Sequence, residues 1–290
     1  MTIYDELPDI YRIKRAQTDV DRIANEFYEA SLDLDPVLAT EHGRTGVETL
    51  FGDYSPAGEE AYAKLVKKTL KKLDKVIPID DTDLVTLDAM QERLTLTRQM
   101  RRAGLGRWQL NNIFSAPQQI RTSFDLMSRE NERDWAHIAG RLANVPGAID
   151  GLIQTLEAAR AEGKVSPRRQ VQIVIEQAEA YIADGGFFDA LAAEITAAAP
   201  AITEQAREGA QAAKDGYRAL ITYLRDTLLP EAPSKDAVGR ELYTLYSRES
   251  LGASIALDET YAWGVQELER IITEQHTVAS EIDPGASIER

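Results

Sequence analysis

The sequence predicts an all-α chain, a multi-helical irregular array of about ten helices, and three observations carry that reading. Alanine, leucine, glutamate and glutamine are plentiful, while aromatic residues make up only 7% and runs of Val, Ile and Thr are short, a bias toward helix. Apolar residues recur three and four positions apart in segment after segment, the period of a one-sided helix. The helices so marked are punctuated by Ser-Pro and Asp-Asp starts and by Gly and Pro stops at uneven intervals. No fixed repeat appears, so a solenoid is not expected. At 290 residues with 43% hydrophobic content, the chain is long enough to bury a sizeable core.

The first helix is expected from Pro8 to Ser31, with Val20, Ile23, Ala24, Phe27, Tyr28 and Ser31 on one stripe. Asp35-Pro36 breaks it, and Pro36 opens a short helix that Gly43 stops. Thr45 to Tyr54 reads as loop. Ser55-Pro56 starts the next helix, with Ser as N-cap, Pro in the first turn and Glu59 and Glu60 near the positive end. Tyr62, Leu65, Val66, Leu70 and Leu73 point inward there, and the intervening lysines form a solvated face. Asp80-Asp81 opens a further helix with Leu84, Leu87 and Leu94 inward, ending at Gly104.

Arg107 to Ser115 lacks a helical period and is the best candidate for extended backbone. Ala116-Pro117 restarts a helix through Met127. Arg133–Ala143 and a segment from Pro146-Gly147 to Gly163 are expected as two helices, because proline interrupts the backbone ladder. Ser166-Pro167 opens a helix to Ala183 that Gly185-Gly186 closes, and a long helix spans Pro200 to Leu229. Pro230 and Pro233 bound a linker. The chain is therefore read as a single helical domain over 1–290, or the N-terminal half of a larger one, with a subdivision near 230–235. Beyond it lie a helix ended by Gly252 and a last helix from Asp258, with Tyr261, Val265, Leu268, Ile272 and Ala279 on one face. Asp283-Pro284-Gly285 is a turn, and Ser287–Arg290 reads as the opening of another helix.

Charge and composition narrow the partners. A net charge of −15 repels phosphate backbones and anionic lipid, so neither nucleic acid nor a membrane surface is expected as partner. No apolar run is long enough to span a bilayer, and the acidic start Met1–Glu6 does not read as a signal peptide. With no cysteine, thiolate chemistry and disulfides are excluded, and the expected location is cytoplasmic.

Motifs for catalysis are missing. His42, His137 and His276 show neither a His-Glu-x-x-His element nor i, i+4 spacing, the usual way one helix supplies two metal ligands. Gly104-x-Gly106 follows no strand and reads as a helix stop. Gly252-Ala-Ser254 lacks the second glycine of a nucleophile elbow. Two segments stand above this background. Gln109 to Asp125 is rich in neutral amides on irregular backbone, which suits hydrogen bonding to a peptide or a small polar substrate. Asn111, Asn112, Gln118 and Arg121 are its candidate contacts. Tyr243, Tyr246, Ser247 and Arg248 could line a cleft, and Tyr246 and Arg248 complete the candidate set. Against this stands the plainer reading, in which the asparagines satisfy a buried loop and the tyrosines pack at the edge of a core.

A long ordered series of residues carries a resemblance. It runs through Asp35-Pro36, Asp53-Tyr54-Ser55-Pro56 and Leu110-Asn-Asn-Ile113. It continues in Gln118-x-Ile-Arg121-x-x-Phe-Asp-Leu-Met127, Asp134-Trp135, Arg141-Leu142, Pro146 and Arg168-Arg169-Gln170. Gly185-Gly186-Phe187-Phe188, Ala237-Val-Gly-Arg-Glu241, Tyr246-Ser-Arg248 and Leu251-Gly252 follow. Leu257-Asp-Glu259-x-Tyr261-x-Trp263-Gly264-x-x-Glu267-Leu268 closes it. The chain resembles the bacterial domain-of-unknown-function 885 family. That resemblance implies a zinc-metallopeptidase-like helical fold, of which this chain would supply the N-terminal half only, one wall of a substrate cleft. It implies zinc for the full-length family, but the family's His-Glu and Pro-Gly-His-His elements do not occur here, so neither a metal ligand nor a catalytic residue carries over. The expected partner is then a missing C-terminal half. The expected function is the N-terminal helical portion of such a hydrolase, inactive alone. The alternative is a stand-alone helical binding or scaffold protein without catalysis. A zinc titration of this chain is expected to show no tight uptake; a stoichiometric site of micromolar affinity or better would contradict that.

Overall fold

The computed structural model describes residues 15–285. Among these residues there is no strand. The helices are α1 Asp19–Leu34, α2 Pro36–Glu41, α3 Pro56–Leu73, α4 Asp81–Arg102, α5 Ala116–Thr122, α6 Glu132–Ala161, α7 Arg168–Ile182, α8 Phe187–Ala198, α9 Thr203–Tyr223, α10 Leu229–Glu231, α11 Arg240–Leu251 and α12 Leu257–Ile282. The all-α expectation of an irregular helical array holds. Its finer identification as one wall of a metallopeptidase is not something the architecture displays.

Several boundaries move for identifiable reasons. The first described helix begins at Asp19, and the expected start at Pro8 lies outside the described residues. Thr18 caps it, its hydroxyl accepting from Asp21 N at 3.1 Å while the Asp21 carboxylate accepts from Thr18 N at 3.0 Å. Arg15, four residues before α1, pairs with three carboxylates, those of Asp21, Asp80 and Asp83 at 2.6, 2.9 and 3.2 Å. Asp83 thereby occupies the buried face of α4, and Leu84, expected inward, is 54% exposed.

Arg107–Ser115 is a chain of turns and bends rather than extended backbone. Its polar groups are satisfied by side chains, as in Leu110 N to Ser166 Oγ at 2.8 Å, so it needs no neighbouring strand. That same bond takes Ser166 away from the capping role its Ser-Pro pair implied. The helix after it stops at Thr122, five residues before Met127. The twelve-residue α8, rich in alanine, went unmarked by the sequence pattern, and the single long helix expected after Pro200 is α9 followed by a π-helical turn, Leu224–Leu228, and α10.

The largest departure is α6. It runs unbroken for 30 residues with Pro146 inside it. A proline there removes one ladder hydrogen bond and costs roughly 3 kcal/mol in an isolated helix. Packing offsets this. Along α9, Ala206, Gly209, Ala210, Ala213, Gly216 and Tyr217 form a buried stripe of mostly small residues facing α6. A Cβ at Gly209 would lie 3.0 Å from Ala139 O and from Leu142 Cβ, and one at Gly216 would lie 3.2 Å from Pro146 Cα. The two backbones thus approach closely enough for α9 to seat directly on the proline turn. Around this pair sits the main core, with Ile138, Leu142, Val145, Ile149 and Leu152 of α6, Val171 and Val174 of α7, and Phe188 and Leu191 of α8. Each such side chain contributes about 1.5–3 kcal/mol on full burial. A smaller cluster, Ile23, Val66, Leu70, Leu73 and Leu94, joins α1, α3 and α4.

The chain forms two compact units, one ending at Ala237 and a second from Val238 onward. The second holds α11 and α12, joined across Gly252, whose φ of 72° ends α11 in the left-handed region that glycine enters without steric cost. Arg240 reaches Asp258 at 2.7 Å. Neither helix buries a residue.

Gly209→Val should destabilise the first unit by about 2–3 kcal/mol through overpacking against the α6 backbone. Chemical denaturation with an unchanged m-value would register it. A loss below about 0.5 kcal/mol would show that the helices separate easily.

Candidate functional site

The amide-rich segment folds into a loop whose tip is apolar. Asn111 Oδ1 accepts from Ile113 N at 2.9 Å and from Phe114 N at 2.6 Å, and its Nδ2 donates to Phe114 O at 3.1 Å. This side chain mimics a backbone turn and closes the loop on itself. Gln118, only 5% exposed, sits beneath. Its Oε1 accepts from the Ser115 amide at 3.0 Å and from the Ser115 hydroxyl, and its Nε2 donates to Asn111 O at 2.8 Å and to Gln177 Oε1 at 2.7 Å. All four bonding positions of that amide are used. Gln177 in turn donates to Asn112 O at 3.0 Å and so ties the loop to α7.

The candidate residues therefore play different parts. Asn111 and Gln118 spend their amides on the loop itself, Asn112 presents an exposed side chain, and Arg121 pairs with Asp125 while its guanidinium carbon stands 3.9 Å over the Phe187 ring. The loop brings together Asn111, Asn112 and Gln118, with Arg121 one turn further along α5. Tyr246 and Arg248 lie half-buried on α11, in the other unit. Two residues at the tip escaped the sequence reading: Ile113 and Phe114 are 77% and 68% exposed. Their apolar character reads as core in any periodicity argument, and only the Asn111 turn reveals that they face outward.

A second polar cluster also went unread. On one face of α6, His137, Arg141 and Asn144 meet the segment between α2 and α3. Asn144 Nδ2 donates to Thr49 O at 2.9 Å, and His137 Nδ1 stands 4.0 Å from Glu48 Oε1. Arg141 is buried without a carboxylate in ion-pair contact; it donates to Thr40 Oγ1 at 2.7 Å and lies 5.7 Å over the Phe51 ring, and its Nε has no partner. Burial, opposed by the more distant carboxylates of Glu48, Asp35 and Glu41 and by Tyr54, pulls its pKa down to about 10. The Tyr54 phenol is pushed up to about 12, also by burial. Arg141 stays charged at neutral pH and orders this segment through donor bonds.

Among the described residues, no group of three or more histidine or carboxylate side chains converges as a metal site. His42 instead bonds the Tyr28 hydroxyl at 2.9 Å. No helix among the described residues is long and apolar enough to cross a membrane.

The described residues define an all-helical fold in which no metal-holding group is assembled. The chain belongs to a family of bacterial proteins of unknown function, DUF885, whose model matches residues 36–290. No curated protein matches it. Among solved structures it is similar to a provisionally assigned lipoprotein from Colwellia psychrerythraea, with a TM-score of 0.75 and 14% identity, covering 94% of this chain and 53% of that one. It is also similar to a provisionally assigned lipoprotein of unknown function from Shewanella oneidensis, with a TM-score of 0.66 and 15% identity, covering 93% and 49%. The chain spans about half the length of these two structures, and at such identities the likeness concerns the fold alone.

These findings correct several expectations. The family match is not confined to an N-terminal half, since it covers nearly the whole chain, so the missing C-terminal half is withdrawn as partner and the description as truncated goes with it. The zinc, hydrolase and metallopeptidase-like attributes lose their footing, because no metal-holding group is found among the described residues. The cytoplasmic location is withdrawn as well, since both similar structures are described as lipoproteins.

Replacing Gln118 with leucine should cost about 2–3 kcal/mol, because it strips partners from buried groups at Ser115 and Asn111. Amide exchange at Ile113–Ser115 should accelerate. Unchanged exchange there would show that the loop holds without Gln118.

Proposed function

We propose that this chain is a helical binding module without catalysis of its own, and that it engages an extended peptide segment through the loop tip at Ile113 and Phe114. The observation that supports this most directly is the contrast between tip and base. Two large apolar side chains are held in solvent above a base in which Gln118 uses all four bonding positions of its amide. Exposed apolar groups on ordered backbone lose little entropy on binding, which is the general advantage of a preorganised contact. Aromatic anchors of this kind dominate protein contacts.

In this reading Asn111 and Gln118 act by holding the tip, while Asn112 and Arg121 at its rim meet the polar backbone of the ligand. Tyr246 and Arg248 are assigned a separate polar contact on α11. The lipoprotein description of the two fold relatives supports placing the module outside the cytoplasm.

The test is a selection of unstructured nine-residue peptides displayed on phage against the whole chain. Ile113→Ser with Phe114→Ser should weaken the selected peptides at least tenfold, roughly 1.4 kcal/mol, with the melting temperature unchanged because both residues are exposed. Peptides that bind the double variant as tightly as the wild type, or a library that yields no binder, would overturn the assignment.

A further inference from the structure

The last helix carries a seam that nothing in the proposed function uses. From Tyr261, the positions Val265, Leu268, Ile272, Gln275, Ala279 and Ile282 follow at alternating intervals of four and three residues, the a/d spacing of a two-helix coiled coil. Gly264, Ile271 and Val278 widen the seam on one side. A stripe of this kind on a surface helix ordinarily faces a neighbour, yet α12 has no buried residue. Leu268 is 57% exposed, Ile272 40%, Val278 47% and Ile282 80%. A helix of 26 residues in water gains most of its stability from packing that face, and within its own unit the face is uncovered.

Charge is sorted around the seam. Glu267, Glu274 and Glu281 lie on the far side, where Arg270 bridges the first two at 2.7 and 2.8 Å. The charged or titratable flanks of the seam within the helix are Glu269 and His276. We propose that α12 pairs antiparallel with α12 of a second copy of this chain. Two complementarities favour a second copy in that orientation. With Ile272 opposite Gln275 of the other copy, Leu268 falls opposite the small Ala279, and Val265 opposite Ile282, so large residues meet small or medium ones in matched layers. The same register sets Glu269 beside His276 of the other copy, an acceptor beside a donor, and the helix dipoles oppose. A parallel pair would instead stack Ala279 on Ala279 and Leu268 on Leu268, and would set Ile271 against the imidazole. The symmetry is isologous and therefore closes at two chains. Gln275, the single polar residue among the seam positions from Val265 to Ile282, lies next to the two-fold axis, where one amide can specify register.

The test uses the full chain. Light scattering coupled to gel filtration is expected to give twice the 32.2 kDa chain mass at tens of micromolar. Leu268→Glu with Ile272→Glu, both exposed positions, should return the mass of one chain with the helical circular dichroism of the rest retained. Because the chain has no cysteine, orientation can be read directly. Leu268→Cys mixed with Ala279→Cys should form a disulfide-linked mixed dimer under mild oxidation, while Leu268→Cys alone should not. A single-chain mass for the wild type at every concentration overturns the proposal and leaves the seam to a different chain. Self-crosslinking of Leu268→Cys, or a dimer that survives the double glutamate variant, overturns it equally.

Discussion

The close approach of α6 and α9 is the constraint on which the first unit depends. A proline at the middle of a 30-residue helix is tolerable only where surrounding packing holds the helix straight. Here the packing is α9, and it can come close only because glycine and alanine line its inner face. Gly216 rests on Pro146 and Gly209 on the backbone of Ala139. Moving α9 outward by one methyl group would loosen more than this pair. Tyr217, on the same stripe, donates to Pro117 O at 2.6 Å and so anchors α5, the helix that begins directly after the candidate loop. Phe188 packs edge-on against Phe124 and Phe187, whose own rings are tilted at 54° to each other. The geometry of the site is thus inherited from the spacing of two helices some distance away in sequence.

On this frame the loop separates two jobs that sequence reading merges. Amides near an apolar run look like ligand contacts, because neutral donors and acceptors are what a peptide backbone requires. In the folded chain most of those donors and acceptors face inward, where an unpaired group would cost more than a ligand contact could return. The apolar residues face outward instead. The same inversion occurs at Arg141, a buried cation held by a hydroxyl and an aromatic ring rather than by a carboxylate. The loop case follows from local side-chain bonds that replace secondary structure where the backbone is irregular, whereas Arg141 reaches from α6 to Thr40 of α2, 101 positions away.

Some of this was legible from residues alone. Ser55-Pro56, Asp35-Pro36, Asp80 and Gly252 each act within one turn of themselves, so their caps and stops appear where their chemistry puts them. The lysines of α3 face solvent because their spacing opposes the buried Val66, Leu70 and Leu73. The site was legible only as a region. Residues 109–125 stood out by composition, yet the roles of Asn111 and Gln118 depended on Ser115 and Gln177, the latter 59 residues further along. Ile113 and Phe114 gave no signal, since hydrophobicity marks burial on average and is silent about the exceptions. Pro146 misled for a related reason, as its local cost is real and the compensation comes from Gly216.

By itself, then, the sequence determined the helical class, most helix starts and the acidic, cysteine-free character of the chain, because propensity, capping and charge are properties of neighbouring residues. The family resemblance was legible as well, although the reading of the chain as an N-terminal half and the metallopeptidase-like character attached to it were not upheld. Only the tertiary structure decided that Pro146 lies inside a helix, that the Asn111 and Gln118 amides bond within the loop and to α7, and which apolar residues remain in solvent. Those outcomes rest on contacts between residues tens of positions apart, whose energies rival local preferences yet leave no periodic mark along the chain.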